Sequence, residues 1–441
     1  MSKKVYWNEE FEIMERSKLE KLQVERLRST IKTALDTQFY GELYSKKGIN
    51  VDSIQSIDDL RKLPFTVKQD LRDSYPDGMT STKKGESIRL HCSSGTTGQP
   101  AVVYHNKHDL DSWGNLVARS LFCAGARPGD VFQNICGYGL FTGGLGFQYG
   151  GETLGALTIP AGAGNSKRQI KLIQDFGTTV IHAIPSYLIR LYDVFKQEGI
   201  DPLKDTNLRL FVIGAEPHTE EQRKKIEELF GIKAYNSYGL TEMNGPGVAF
   251  ECEEQNGLHI WEDAYFVEIV DPDTLEPVAD GEIGELVLTT LDREVMPIIR
   301  YRTRDLTRFL PGECGCGRTH RRLDRITGRS DDMFIIKGCN IFPMQIEGVL
   351  MKIPEVGTNY LIELVTENDI DEMHVKVELQ AHCFSDSYKD LENLQYSLIH
   401  KIRDEVLAKP KVVLLPPNSL PQQEGKAIRV VDHRRQLRIT N

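Results

Sequence analysis

The sequence predicts an α/β fold: a large N-terminal α/β domain with mixed sheets and an antiparallel, barrel-like β region, then a small α+β C-terminal domain. Three observations predict it. Between about residues 88 and 215, short apolar runs alternate with amphipathic or glycine-rich stretches. Their spacing of roughly 20 to 30 residues is that of βαβ units in a largely parallel sheet. Residues 265 to 310 are rich in β-branched runs with the turn signals Asp271-Pro272-Asp273 and Asp280-Gly281, the pattern of antiparallel strands. The 441 residues exceed what one hydrophobic core ordinarily holds, so two domains or more are expected.

Taken in order, residues 8 to about 48 are charged and helical in period, with Leu27, Ile31 and Leu35 at i+4 and Leu19 and Leu22 earlier. The alternations Ile88, Leu90, Cys92 and Val102, Val103, Tyr104 predict two strands joined by the run Ser93-Ser94-Gly95-Thr96-Thr97-Gly98-Gln99-Pro100. Further strands are expected at Val131-Phe132, Leu157-Thr158-Ile159, Val180-Ile181-His182 and Leu210-Phe211-Val212-Ile213. Gly328-Arg329-Ser330-Asp331-Asp332 marks a break, which sets the expected domains at 1–328 and 329–441. Pro416-Pro417-Asn418 through Gly425-Lys426 is polar and turn-rich, the composition of an exposed loop.

The net charge of −10 disfavours a general nucleic-acid or anionic-membrane surface. The first residues lack a signal peptide's apolar core, and no apolar run approaches the ~20 residues of a membrane span. Eight cysteines without a secretory signal read as reduced thiols or metal ligands. The expected location is the cytoplasm, with neither nucleic acid nor membrane as partner.

Several stretches carry chemistry. The hydroxyl- and glycine-rich run 93–100 reads either as a flexible turn or as a cradle whose bare N–H groups and hydroxyls meet phosphate; it lacks the Gly-Lys-Ser/Thr of a Walker loop. Tyr238, Thr241 and Glu242 put an aromatic for a purine, a hydroxyl for phosphate and a carboxylate for Mg²⁺ within five residues; the plainer reading is a strand end with a helix cap. Gly214-Ala215-Glu216-Pro217 follows an apolar strand, at the edge where open α/β sheets bind ligands. Asp305 offers a carboxylate to a ribose diol or to a surface ion pair. Cys252, His259, Cys314 and Cys316 supply four ligands for a tetrahedral structural Zn²⁺, with His320 as a spare; otherwise they are unrelated residues with free thiols. Cys92, Cys123, Cys136 and Cys339 read as small packing residues. No His-Glu-x-x-His pattern supports a zinc hydrolase.

The runs Ser93–Pro100, Tyr238–Glu242, Tyr301–Asp305, Gly328–Asp332 and Gly425-Lys426 occur in the order and approximate spacing of the adenylate-forming acyl-CoA synthetases, which the chain resembles over nearly its whole length. Within that family it looks most like the phenylacetate–coenzyme A ligases, through Gly137-Tyr138-Gly139-Leu140-Phe141-Thr142-Gly143-Gly144, Trp261-Glu262-Asp263 and Ile326–Asp332. The resemblance implies a two-step ligation. A carboxylate attacks the α-phosphorus of ATP, giving acyl-adenylate and pyrophosphate; the thiol of coenzyme A then displaces AMP. By the same resemblance Mg²⁺ near Glu242, Thr241, the loop Ser93, Ser94, Gly95, Thr96, Thr97, Gly98 and an inserted Lys426 spread the developing charge. Tyr238 and Gly239 meet adenine beside Ala215, Glu216 and Pro217, while Asp305 and Arg329 hold the ribose. Asp331 matches the hinge about which a mobile C-terminal domain turns, and Lys337 and Gly338 lie near the pantetheine entry. Tyr138, Phe141 and Gly143 match the acid pocket, against the plainer reading of core aromatics. Arg304 stands where many relatives carry glycine, as a surface residue or a phosphate contact.

The partners implied are an aryl acid, ATP and CoA, in a homodimer; the metals are Mg²⁺ and, independently of the resemblance, structural Zn²⁺. The competing readings are a ligase for another aryl acid, a deazaflavin-adenylating synthetase, and a non-catalytic nucleotide-binding regulator.

Overall fold

The computed structural model describes residues 4–81, 86–93, 99–367, 370–380, 383, 388–421 and 428–434. The chain forms two compact units. The first comprises Met1–Ala183, Phe195–Ala215 and Ile232–Ile326; the second comprises Ile184–Val194, Glu216–Gly231 and Thr327–Asn441.

The first unit begins with the expected helices, Glu9–Glu12, Arg16–Leu35 and Gln38–Lys47. The apolar stripe of the second buries Leu19, Leu27 and Ile31 completely. Thr37 caps the third by accepting from Tyr40 N at 3.1 Å, and Gly48 ends it at φ +66°. Leu27, Ile31, Tyr40 and Tyr44 pack with Leu60, Leu63, Leu291 and Ile299 into a small core.

Strands β1 (Arg89–Cys92) and β2 (Val102–His105) form an antiparallel hairpin, with Cys92 opposite Val102. The main sheet contains β3 (Val131–Asn134), β4 (Leu157–Ile159), β5 (Val180–Ala183), β6 (Leu210–Gly214), β7 (Lys233–Leu240), β8 (Gly245–Glu251) and β9 (Leu258–Ile260). Their order is β9-β8-β7-β6-β5-β3-β4: parallel from β4 to β7, antiparallel beyond. β5 and β6, buried at every residue, follow the predicted runs as largely apolar stretches because both faces of the sheet are covered there. β10 (Tyr265–Val270), β11 (Gly284–Thr290) and β12 (Tyr301–Thr307) pair antiparallel in that order, as the turn signals predicted.

Trp261-Glu262-Asp263, singled out in the sequence, turns out to be part of the core. The Trp261 indole donates to Ser120 Oγ at 2.9 Å. Arg119 Nη1 and Nη2 donate to the two Asp263 oxygens at 2.7 and 3.1 Å, both side chains being buried. Burial, the largest cause, opposes ionisation of Asp263, but the Arg119 charge and hydrogen bonds together with His320 and Arg26 outweigh it, and the carboxyl is held below its ordinary range. Asp263→Ala is expected to destabilise the protein by about 3–5 kcal/mol in urea unfolding, because a buried guanidinium is stranded. Since the folded-state pKa is depressed, this contribution is full above the ordinary carboxylate range and is lost as pH falls through and below it.

Two short strands of the first unit, β13 (Phe309–Leu310) and β14 (Arg322–Leu323), extend the main sheet beyond β9. After β15 (Gly328–Arg329), the second unit's β16 (Phe334–Ile336) and β17 (Cys339–Ile341) form a hairpin. Its turn residues Lys337 and Gly338 both have positive φ, +51° and +83°, which suits a tight two-residue connection. β18 (Val356–Glu367) and β19 (Ile370–Leu379) are central, flanked by β20 (Lys411–Leu415) and β21 (Val430–Asp432). Tyr360, Ile362 and Leu364 alternate inward with Met373, Val375 and Val377, and helices Pro343–Leu350 and Tyr388–Val406 add Ile346, Leu350, Leu398 and Ile402 to one core.

Candidate functional site

The strand order β4-β3-β5 predicts where the first unit would hold a ligand crevice. From β3 the chain moves to β4 on one side and then returns to β5 on the other, so connections leave β3 and β5 in opposite directions. Ligands of open α/β sheets sit outside the C-terminal ends of the strands at such a reversal. The ends of β6 and β7 border the same edge of the sheet.

At the end of β7 the structure brings together residues that the sequence only suggested. The Tyr238 hydroxyl donates to Asp305 Oδ2 on β12 at 2.5 Å. Glu242, in the turn Thr241–Met243, is buried, and its Oε1 accepts from the Tyr301 hydroxyl at 3.1 Å with Lys68 Nζ 3.5 Å away. Arg293 Nη1 donates to the Glu242 carbonyl at 2.7 Å. Lys68 and Arg293 were missed because they lie in separate segments outside any motif, and Tyr301 because its run Tyr301–Asp305 drew attention only to the Asp305 carboxylate. Thr241 Oγ1 lies 3.4 Å from Thr142 Oγ1, which joins this corner to the segment 137–144. Gly239 is required here: a Cβ on it would stand 1.9 Å from the Gly245 carbonyl oxygen. Ala215, just after β6, is held at φ +66°, a backbone strain that costs about 1 kcal/mol or more and clusters at binding sites.

The hydroxyl loop is closed at its base by Ser93, whose N–H donates to the Ala101 carbonyl at 2.9 Å and whose Oγ accepts from Ala101 N at 3.1 Å. Ser94, Gly95, Thr96, Thr97 and Gly98 lie outside the described residues, as do Gly425 and Lys426.

Arg304 has an answer in the backbone. It sits at φ +68°, the left-handed region that favours glycine, and its guanidinium lies 3.5 Å from Glu285, which also receives Arg302 at 2.8 and 2.9 Å. It belongs to an ion-pair cluster.

In the segment 137–144, Tyr138 is half-buried and accepts from Asn134 Nδ2 at 3.0 Å, while Phe141 is 49% exposed. Burial, the leading cause, raises the Tyr138 pKa, so the phenol is neutral at physiological pH. Gly143 faces open space. Cys136 and Cys339 are not simple packing residues: Cys136 lies 3.8 Å from His182 Nε2, and Cys339 donates to the Leu407 carbonyl at 3.4 Å.

In the second unit, the Glu216 carboxylate accepts from Ser186 N at 2.6 Å and Ser186 Oγ at 3.0 Å. Arg329 grips Asp331 with two hydrogen bonds, of 2.9 and 3.0 Å. Lys337 and Gly338 form the hairpin turn described above, and Pro217 follows Glu216 in the same unit.

Away from the crevice, Cys252, His259, Cys314 and Cys316 converge, with all four ligand atoms within 4.8 Å of one another. Cys252 Sγ and Cys314 Sγ are 3.6 Å apart, and Cys316 Sγ is 3.3 Å from His259 Nε2. His259 Nδ1 donates to the His320 carbonyl at 3.2 Å, which turns Nε2 toward the thiols. The His320 ring itself faces backbone groups of Phe11, Ile260 and Glu262, outside the cluster.

No described helix is long and apolar enough to cross a membrane. The family model described as AMP-binding enzyme matches residues 17–294, and the AMP-binding enzyme C-terminal domain matches residues 338–434. The phenylacetate–coenzyme A ligase of Thermus thermophilus is 45% identical over 97% of this chain and 99% of its own length. That of Escherichia coli is 44% identical over 94% and 95%. Among solved structures, 2-hydroxyisobutyryl-CoA ligase in the postadenylation state with 2-HIB-AMP superposes with a TM-score of 0.92 at 29% identity, covering 98% of this chain and 94% of that one. The chain is therefore an AMP-binding enzyme of the phenylacetate–coenzyme A ligase family, an ATP-dependent acid–thiol ligase that works through an acyl-adenylate and releases AMP.

Proposed function

We propose that the acid is an aryl acid, phenylacetate first among them. The observation that carries this reading is the 44–46% identity to four phenylacetate–coenzyme A ligases over nearly the whole chain. ATP would lie along the crevice edge, with adenine against Tyr238, Gly239, Ala215, Glu216 and Pro217 and the ribose diol on Asp305 and Arg329. The loop 93–98 and Lys426 would meet the phosphates. The acid would enter beside Tyr138, Phe141 and Gly143, and the pantetheine arm past Lys337 and Gly338. In this reading the domains divide after residue 328 and Asp331 is the hinge.

Mg²⁺ use is general to the family. Glu242 and Thr241 are hard oxygen donors, so they suit a Mg²⁺ whose remaining ligands are phosphate oxygens and water. When bound, the ion would neutralise phosphate charge as carboxylate and polyphosphate meet. Glu242→Gln keeps the shape and removes the charge. It is expected to lower acid-dependent ATP–pyrophosphate exchange by about 10- to 100-fold and to raise the Mg²⁺ concentration needed for half-maximal rate.

A structural Zn²⁺ at Cys252, His259, Cys314 and Cys316 is part of the proposal. With Zn–S near 2.3 Å, a tetrahedron has ligand–ligand edges of about 3.8 Å, close to the sulfur–sulfur separation of 3.6 Å. His259 also has the backbone acceptor that fixes a ligating imidazole's tautomer.

The test is ATP–pyrophosphate exchange with phenylacetate, benzoate and a short fatty acid, followed by CoA addition and thioester detection. Phenylacetate-dependent exchange and a thioester support the reading. A preference for benzoate or the fatty acid overturns the choice of acid, and ATP binding without exchange favours the nucleotide-binding regulator.

A further inference from the structure

We propose that Cys136, His182 and Asn134 form a one-way hydrogen-bond chain that holds the Tyr138 hydroxyl as a donor to the bound acid. The proposal rests on reading this crevice as the acid site. Asn134 ends β3 and His182 lies near the end of β5; they are register partners on the two strands where the chain reverses direction. Both are buried at the mouth of the predicted crevice.

The direction of every bond follows from which atoms can only accept. The Gly144 carbonyl can only accept, so the Asn134 side-chain atom 2.7 Å from it is the amide nitrogen. The other end of that amide is then the oxygen, 2.9 Å from His182 Nδ1, which must carry the imidazole proton. Burial drives the His182 pKa down to about 3, so the ring is neutral and Nε2 is a bare lone pair. Nε2 faces Cys136 Sγ at 3.8 Å, and the thiol is the donor. At the far end, the second N–H of Asn134 goes to the Tyr138 oxygen at 3.0 Å. The thiol donates to imidazole, imidazole to amide and amide to phenol, so the phenol's own proton points onward. Chains whose donors all run the same way polarise one another. Phe147, stacked on His182 with ring centroids 3.6 Å apart, and Gly144, with no room for a Cβ against Gly137, hold the relay in place.

Tyr138 thus contacts the acid, while Asn134 and His182 are positioning residues. The test compares Tyr138→Phe, His182→Leu, His182→Asn and the double variant Tyr138→Phe/His182→Leu in phenylacetate-dependent exchange. Loss of a hydrogen bond to a carboxylate predicts a rise of about tenfold in KM for the acid in Tyr138→Phe, with KM for ATP unchanged. His182→Leu is expected to raise the same KM about three- to tenfold. His182→Asn, whose amide nitrogen falls near the Nδ1 position, retains the wild-type value. In the Tyr138→Phe background His182→Leu adds nothing. An unchanged acid KM in Tyr138→Phe overturns the proposal, as does a His182→Leu effect that persists undiminished beside it, the signature of a merely structural histidine. A second readout needs no turnover: ¹⁵N-histidine NMR at neutral pH is expected to find the His182 proton on Nδ1, and a proton on Nε2 overturns the chain. Absence of wild-type exchange with every acid would instead refute the acid-site reading, and the NMR result would still decide the relay.

Discussion

Lys426→Ala is expected to lower acid-dependent ATP–pyrophosphate exchange by about a hundred- to a thousandfold, while CoA addition to a supplied acyl-adenylate changes by less than about threefold. The first half-reaction brings a carboxylate against a triphosphate, anion against polyanion. Negative charge grows on the α-phosphate oxygens as the new bond forms. A cation aimed at those oxygens in a water-excluded cleft is worth several kcal/mol, because it acts where charge develops and not on the ground state. The second half-reaction expels a single phosphate ester and has no such accumulation. Lys426→Arg should restore little, since a planar fork does not replace a compact ammonium on a flexible stem. Quench-flow measurement of each half-reaction checks this. Equal loss in both would mean that the lysine belongs to neither step in particular, and the role proposed for it would fall.

Loss of the Zn²⁺ proposed for the four-residue cluster is expected to destabilise the protein about as much as loss of the buried Asp263 carboxylate. Protein purified without chelator should carry about one zinc per chain by elemental analysis. Cys314→Ser should lose it and melt about 5 °C lower, since a destabilisation of about 3–5 kcal/mol is divided by an unfolding entropy of about 2 cal/mol/K per residue. The 3.6 Å between Cys252 and Cys314 sulfurs is far beyond a disulfide bond. The cluster ties β8 and β9 to the turn carrying Cys314 and Cys316, and the N-terminal segment lies on that turn through Lys4 Nζ to the Gly315 carbonyl at 2.6 Å. Loss of the metal should therefore free all of these together. Exchange activity measured well below the new melting temperature should survive, since four protein ligands leave no open coordination position. Stoichiometric absence of zinc, or an unshifted melt in Cys314→Ser, would leave the cluster as packed thiols.

Most of the secondary structure was legible because its causes are local. The helix over Arg16–Leu35 declares itself by period, and Thr37 and Gly48 bound the next one with residues chosen for cap geometry. Val180-Ile181-His182 and Leu210–Ile213 are strands because a sheet covered on both faces demands continuous apolar residues. Two readings needed the structure. Arg304 could be a phosphate contact or a surface residue, and its left-handed backbone beside Glu285 made it an ion-pair member. Cys136 looked like packing, since nothing within a few residues of it suggests an imidazole.

The sequence by itself determined the order of the elements, the mixed α/β class, the position of the hydroxyl loop between two strands, and the four candidate zinc ligands. Each depends on residue type and spacing within a short stretch, where backbone geometry allows few outcomes. Only the tertiary structure decided that Tyr238 meets Asp305, 67 residues away, and that Asn134 meets His182, 48 residues away. Such pairings are set by strand order and register. A shift of one residue turns a side chain to the opposite face of the sheet, and that register is enforced by the packing of the whole core.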